Sequence, residues 1–435
     1  MKDQLRKSLS MPGLLGALNE SFSKVKDGGR KTGISIKDCL LSGYAIFSLK
    51  YPSLLQFDVS TREDDGLRHN LHHLYGITEI PSDTYMRERL DEIDPAQLRP
   101  AYKRLFGLAQ HGKMLEPFEF MDEHYLLSLD GTGVFSSHAV HCEDCCVKNH
   151  KDGTITYYHQ VLSAVLVHPD LKVVLPLCPE PIQKQDGARK NDCERNGAKR
   201  LIQDFRREHP HLKVIVIEDG LASNSPHIKD LQANKMRFIL GAKPGDHAWL
   251  FDWVKAAKPK EYTLKKDKLC HRFQYINDVP LNDSNSDVRV NFLEYWEENL
   301  KTGKIQRFSW VTDLHLTENN VYQIMRGGRA RWKIENETFN TLKNQGYHFE
   351  HNFGHGNKHL STVFAHLMML AFLIDQLQQL CCPLFQKALK RTKRKILLWA
   401  AWRRHCFEHL FDNWDEFLRS LAYGIKKQKP ILNTS

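Results

Sequence analysis

Two stretches decide the fold: HYLLSLDGTGVF, residues 124–135, and LKVIVIEDG, residues 212–220. Both contain apolar, largely β-branched or aromatic runs followed by an acid and a glycine, the composition of a strand that leaves its sheet through a tight turn. Residues 212–217 lack polar alternation beyond Lys213, which suits a strand covered on both faces. Working outward, TITYYHQVLSAVLV (154–167) and LKVVLPL (171–177) read as two more strands. A charged helix over 192–209 follows them. HIKDLQANK (227–235) is a short helix before the strand MRFILGAK (236–243). Three strands, a helix, a strand, a helix and a strand make an α/β core with a mixed sheet.

On the N-terminal side, residues 1–115 read as a helical accessory or DNA-binding region. An apolar helix is expected over 36–49, stopped by Pro52, with further helices over 70–75 and 82–90. Ser82 is suited to cap the last, because its hydroxyl can accept an otherwise orphan amide hydrogen. The core begins at 120 and runs to 242. Residues 243–305 form a β-rich insertion, with strands expected near 272–275 and 288–296. The core resumes over 306–375 with a strand at 306–311. A helix is expected from Asn319 or Asn320, interrupted by Gly327 and Gly328, and another over 329–344. Residues 376–435 form a basic, helical C-terminal region.

The charge of +10, from 62 basic and 52 acidic residues, is uneven. Lys387, Lys390, Arg391, Lys393, Arg394, Lys395, Arg403 and Arg404 crowd one short stretch, which attracts a polyanion or forms a solvated helix face. The first residues, MKDQLRKSLS, lack the apolar core of a signal peptide. The longest apolar run, 363–374, is shorter than the roughly 17–25 residues that span a bilayer, so a buried helix and no membrane partner are expected. Ten cysteines without even spacing suit a reduced, cytoplasmic setting.

Asp130 lies in or just after the first strand, and Asp219 ends the fourth. If the two strands are neighbours, their carboxylates meet despite their separation in sequence, and Glu335, on a later helix, can reach the same edge. Three acids suit Mg²⁺ or Mn²⁺, hard ions that take oxygen ligands. Two such ions about 4 Å apart serve in-line displacement at phosphorus. Against this, an Asp in a DG turn is commonly a turn residue or a helix cap. Glu218 competes with Asp219 but should face the other side of its strand. Arg331, one turn before Glu335, and Lys343, beyond it, can face phosphates, with Trp332 beside them; a plain Arg331–Glu335 ion pair is the simpler reading. Glu194, near the start of the 192–209 helix with Asp192 and Cys193, either adjoins the site or favours the helix dipole.

GRARWKIENETFNTLK, residues 328–343, resembles the signature helix of bacterial insertion-sequence transposases of the DDE class, in the subgroup named for its tyrosine, arginine, glutamate and lysine. SLDGTG and VIVIEDG strengthen the likeness, which covers roughly 120–375. The resemblance implies a ribonuclease-H-like core and an acidic metal triad of Asp130, Asp219 and Glu335, with Arg331 as the motif arginine. It further implies a protein acting on transposon end repeats and target DNA as a homodimer, in the bacterial cytoplasm and on the nucleoid. Water would attack at the transposon end, and the released 3′ hydroxyl would attack target DNA. Two positions depart from the pattern: Gly328 stands where the tyrosine falls, and Leu342 where the lysine falls, with Lys343 one residue later.

SSHAVHCEDCCVKNHKDG, residues 136–153, holds the zinc-type donors His138, His141, Cys142, Cys145 and His150. Cys142 and Cys145 have knuckle spacing, but no second CxxC follows. His159 falls near the acids or fills a strand face. The histidines within 351–359 specify no site. The alternatives to a transposase are a metal-dependent nuclease that does not join strands and an inactive DNA-binding protein. A thiol protease is disfavoured because no Cys, His and orienting group select themselves.

Overall fold

The computed structural model describes residues 7–27, 33–182, 184 and 190–425. It falls into two compact units. One comprises residues 115–139 and 144–339; the other comprises 1–114, 140–143 and 340–435.

The first unit is mixed α/β. Its strands are β1 (Glu119–Met121), β2 (His124–Ser137), β3 (Cys146–Asn149), β4 (Ile155–Val167), β5 (Leu175–Pro176), β6 (Glu180–Ile182), β7 (Val214–Glu218), β8 (Arg237–Gly241), β9 (Lys260–Lys266), β10 (Leu269–Pro280), β11 (Arg289–Asn299) and β12 (Ile305–Thr312). They form one large open sheet in the order β3-β4-β2-β7-β8-β12-β11-β10-β9. Only β2–β7 and β7–β8 are parallel; the other pairings are antiparallel. β7 is buried at all its residues, as its unbroken apolar run requires. Helices Lys190–Glu208 and Ser225–Ala233 supply the crossovers that parallel neighbours need.

The β-rich segment does not stand apart. β12 pairs with β8 through Trp310 and Gly241, so β9 to β12 extend the same sheet as an antiparallel meander. Its outer strand, β9, is KEYTLKK and mostly exposed; such charge on an edge discourages pairing with other chains. The strand expected over 171–177 shrinks to Leu175–Pro176, since Pro176 has no N–H to continue the ladder. Gly327 and Gly328 do not interrupt a helix either. Both lie within Val321–Arg329, where the missing side chains admit neighbours: a methyl on Gly327 would lie 3.0 Å from Ile239 Cδ1, and one on Gly328 only 2.5 Å from the Trp310 ring.

The second unit is helical and joins the two ends of the chain, which the sequence treats as separate regions. Its centre is Leu360–Cys381, the one helix among the described residues long and apolar enough to cross a membrane, and it is buried along that length by its own unit. Ile36–Ser48 packs on it through Gly43, where a methyl would come within 2.8 Å of Leu367 Cδ1. The start of the long helix is fastened by Asp91, whose carboxylate accepts the amide hydrogens of Asn357, Lys358, His359 and Leu360. Lys50 is wholly buried, 2.7 Å from Asp375, between the rings of Tyr347 and Trp399. Ser82 caps Asp83–Asp91 by accepting from the Tyr85 amide. The basic stretch lies on Pro383–Thr392 and Lys395–Glu408, with most of its cationic side chains exposed.

Candidate active site

The parallel register of β2 and β7 builds the first half of the site. Its last pair is Ser128 with Ile217, so Asp130 and Asp219 each stand two residues further along. Both line one small cavity, of about 70 Å³, together with Gly131, Glu194, Glu218 and His227. Asp219 caps the short turn Gly220–Ala222 by accepting the Leu221 amide hydrogen at 2.9 Å. Asp130 Oδ1 accepts from the Gly131 amide at 2.9 Å. A capping role and a place in the pocket therefore coexist in Asp219, whereas Asp130 lies within β2 and not in a turn.

Glu335 lies in a π-helical segment, Ile334–Phe339, which replaces the regular α-helix expected there. Isolated π-turns are rare and often mark functional positions. Arg331 connects its acid to the strand: Nη1 is 3.0 Å from Glu335 Oε1 and 3.7 Å from Asp130 Oδ2. The Arg331 guanidinium also lies 4.4 Å from the Trp332 ring, while Trp332 itself is 48% exposed and free to meet a large planar or apolar surface. The simpler reading of Arg331 and Glu335 as an ion pair is thus correct, but the pair is fastened to Asp130 as well.

Electrostatics register this gathering of acids. Burial pushes the Asp130 carboxyl up from 3.8 to about 6; Glu335 and Asp219 push the same way, and Arg331 opposes them. Glu218, expected on the other side of its strand, lines the same cavity as Asp130 and Asp219 and meets the buried His227 at 2.6 Å. Burial disfavours the charged imidazole, yet the Glu218 carboxylate outweighs it and raises the His227 pKa above the ordinary value. Glu194 approaches so closely that a methyl on Gly131 would lie 3.2 Å from its Oε1. The side chains of Asp192 and Cys193 are outside the described residues.

No family model and no curated protein matches this chain.

The site therefore rests on its own geometry and donors. Asp130, Asp219, Arg331 and Glu335 come together in the sheet unit. Tyr322, the other tyrosine near the signature helix, lies against His271 and Phe273 instead. Lys343 belongs to the helical unit, where it pairs with Glu350 at 3.1 Å.

The zinc-type donors sort differently. His138 Nδ1 donates to the Ile155 carbonyl at 2.9 Å, and His150 Nε2 meets Thr156 Oγ1 at 2.8 Å. In the sheet unit Cys145 Sγ lies 3.3 Å from His159 Nε2. In the helical unit Cys142 and His355 bring their donor atoms within 4.8 Å of each other. Each pair offers a thiol and an imidazole, donors that zinc takes. Sequence reasoning had no means to select His355, which is remote from the cysteines along the chain.

Proposed function

We propose that this protein is a DNA transposase whose sheet unit is a ribonuclease-H-like catalytic core. One observation carries the reading: two carboxylates at matching positions along adjacent parallel strands, Asp130 within β2 and Asp219 just after β7, with Arg331 joining Asp130 to a third carboxylate. Burial first, then the nearby Glu335 and Asp219, raise the Asp130 pKa against the pull of Arg331, so a cation at the three acids would be favoured. Those acids are a donor set for hard divalent cations.

Asp130, Asp219 and Glu335 would hold Mg²⁺ or Mn²⁺, two ions in the full reaction. When bound, such ions activate the attacking oxygen and stabilise the leaving oxygen at phosphorus. The chain's own residues position the rest. Arg331 holds Glu335 beside Asp130 of β2 and presents a cation to the phosphodiester. Trp332 offers an exposed ring to a base or sugar. Lys343 contacts a phosphate. A π-turn takes up one residue more than an α-turn, and one residue is what separates Lys343 from the family's lysine spacing. Water opens the phosphodiester at a transposon end repeat, and the 3′ hydroxyl then attacks target double-stranded DNA. Pairing two ends calls for a homodimer on DNA, in the bacterial cytoplasm at the nucleoid. Zinc would have a structural role, on the Cys145 and His159 donors of the sheet unit or the Cys142 and His355 donors of the helical unit.

The test combines the protein, Mg²⁺ and the DNA ends flanking its coding region, and scores 3′ nicking and joining to a second duplex. Alanine at Asp130, Asp219 or Glu335 should reduce both to background while DNA binding persists. Unchanged joining by any one variant removes that residue from the site. Nicking without joining in the wild type identifies a nuclease.

A further inference from the structure

We propose that His69, His73 and Asp412 form a second metal site, specific for zinc-type transition ions and lying wholly within the helical unit. His69 and His73 stand four apart on helix Asp65–Tyr75, the spacing that stacks two side chains on one face. Their rings are 3.9 Å apart and nearly parallel. The donor atoms of the two histidines and Asp412 all lie within 4.8 Å of one another.

Three further features favour a cation there. His73 Nδ1 donates to the His69 carbonyl at 3.0 Å, because a carbonyl can only accept. That bond fixes the tautomer and leaves Nε2 as the lone-pair donor, the arrangement usual for metal-binding histidines. His69 Nε2 is shielded from solvent and makes no hydrogen bond, although Asp412 Oδ1 is 3.4 Å away. A buried nitrogen left so is destabilising. A shared cation turns the same contact into two ligand bonds: zinc bonds of about 2.0–2.2 Å in a tetrahedron separate neighbouring donors by roughly 3.3–3.5 Å.

The third ligand is held in advance. Asn70, next to His69, is buried and fixes the loop that carries Asp412: its Nδ2 donates to the Cys406 and His409 carbonyls, each at 2.8 Å, and its Oδ1 accepts from the Phe411 amide at 2.9 Å. Trp414 Nε1 then donates to the Leu74 carbonyl at 2.6 Å. The loop cannot drift from the helix, so binding needs little reorganisation. Two imidazoles and one carboxylate select Zn²⁺, Co²⁺ or Ni²⁺ over Mg²⁺, which separates this site from the three-acid pocket. The histidines also line an open groove of about 730 Å³ with Arg62 and Arg68, leaving a fourth coordination position accessible.

The test uses the full-length protein carrying Cys145→Ser, stripped with chelator and titrated calorimetrically with Zn²⁺ and, separately, Co²⁺. One ion should bind, with a Co²⁺ spectrum lacking sulfur-to-metal charge transfer, and binding should raise the melting temperature. His73→Ala and Asp412→Asn, both at exposed positions, should weaken it at least tenfold while the metal-free melting temperature stays unchanged. Equal affinity and stoichiometry in both variants would overturn the proposal, as would a thiolate band in the Co²⁺ spectrum of this site.

Discussion

Ser128 Oγ donates to the Arg331 carbonyl at 3.3 Å. The strand that carries Asp130 thereby also holds the turn that delivers Glu335, and the third acid is tied to the first through backbone as well as through the Arg331 guanidinium. Ser128 is fully buried and sits in the last register pair of β2 with β7.

Ser128→Ala should cost little stability, about 0.5–1.5 kcal/mol for one hydrogen bond, yet loosen Glu335. We expect a three- to tenfold fall in Mg²⁺-dependent DNA cleavage, partly restored at higher Mg²⁺. Denaturant melts beside cleavage assays check this; equal losses in Ser128→Ala and in a remote, equally destabilised variant would refute it.

Asp130 gives the pH dependence. Its carboxyl binds a proton more tightly folded, near 6, than at its ordinary 3.8. The stability it contributes is therefore complete below about pH 4 and is lost as the pH rises through about 6. At pH 8 without divalent ions, Asp130→Asn should be more stable than wild type by on the order of 1–2 kcal/mol. Mg²⁺ should raise the wild-type melting temperature more at pH 8 than at pH 5, and raise that of Asp130→Asn little at either. Thermal melts at both pH values measure all four cases.

Gly328 leaves no room for the family's tyrosine because the Trp310 ring occupies the space. Gly328→Ala should cost about 1–3 kcal/mol through overpacking, and Trp310→Phe should restore part of that loss in the double variant. Additive losses in a double-mutant cycle would show that the two positions do not meet.

Lys50 is held by Asp375 and two aromatic rings in a closed interior, where burial pulls its pKa down and Asp375 pulls it back up. Lys50→Met leaves a buried carboxylate unpaired and should destabilise by about 3–5 kcal/mol. Pairing it with Asp375→Leu should recover most of this. Urea unfolding of the three variants tests the expectation.

The parts of this architecture that follow local rules were legible in the sequence. The apolar run of β7 announced a doubly covered strand, and the DG pairs located Asp130 and Asp219, although only Asp219 follows its strand, since β2 runs on past Asp130 to Ser137. Ser82 read correctly as a cap because capping needs only an amide three residues on, that of Tyr85. What escaped depended on contacts distant in sequence. Gly327 and Gly328 look like breakers until Phe120, Ile239 and Trp310 are seen to need their missing side chains. The π-helical turn around Glu335 has no compositional signature. Asp412 and His69 meet only because Asn70 fastens a loop from the far end of the chain, and no periodicity encodes that. The short β5 was overestimated because its apolar residues resemble a strand, whereas Pro176 limits the ladder.

Lys50 and Asp375 are 325 positions apart, with the whole sheet unit encoded between them. During synthesis the first helices leave the ribosome long before Leu360–Cys381 exists to cover them. Loops of this length close slowly, so the nascent protein must keep the apolar face of Ile36–Ser48 shielded until translation is nearly over. Truncated messages should therefore yield an aggregation-prone N-terminal fragment, and holding chaperones should matter more to the yield of this protein than to that of one built from consecutive domains.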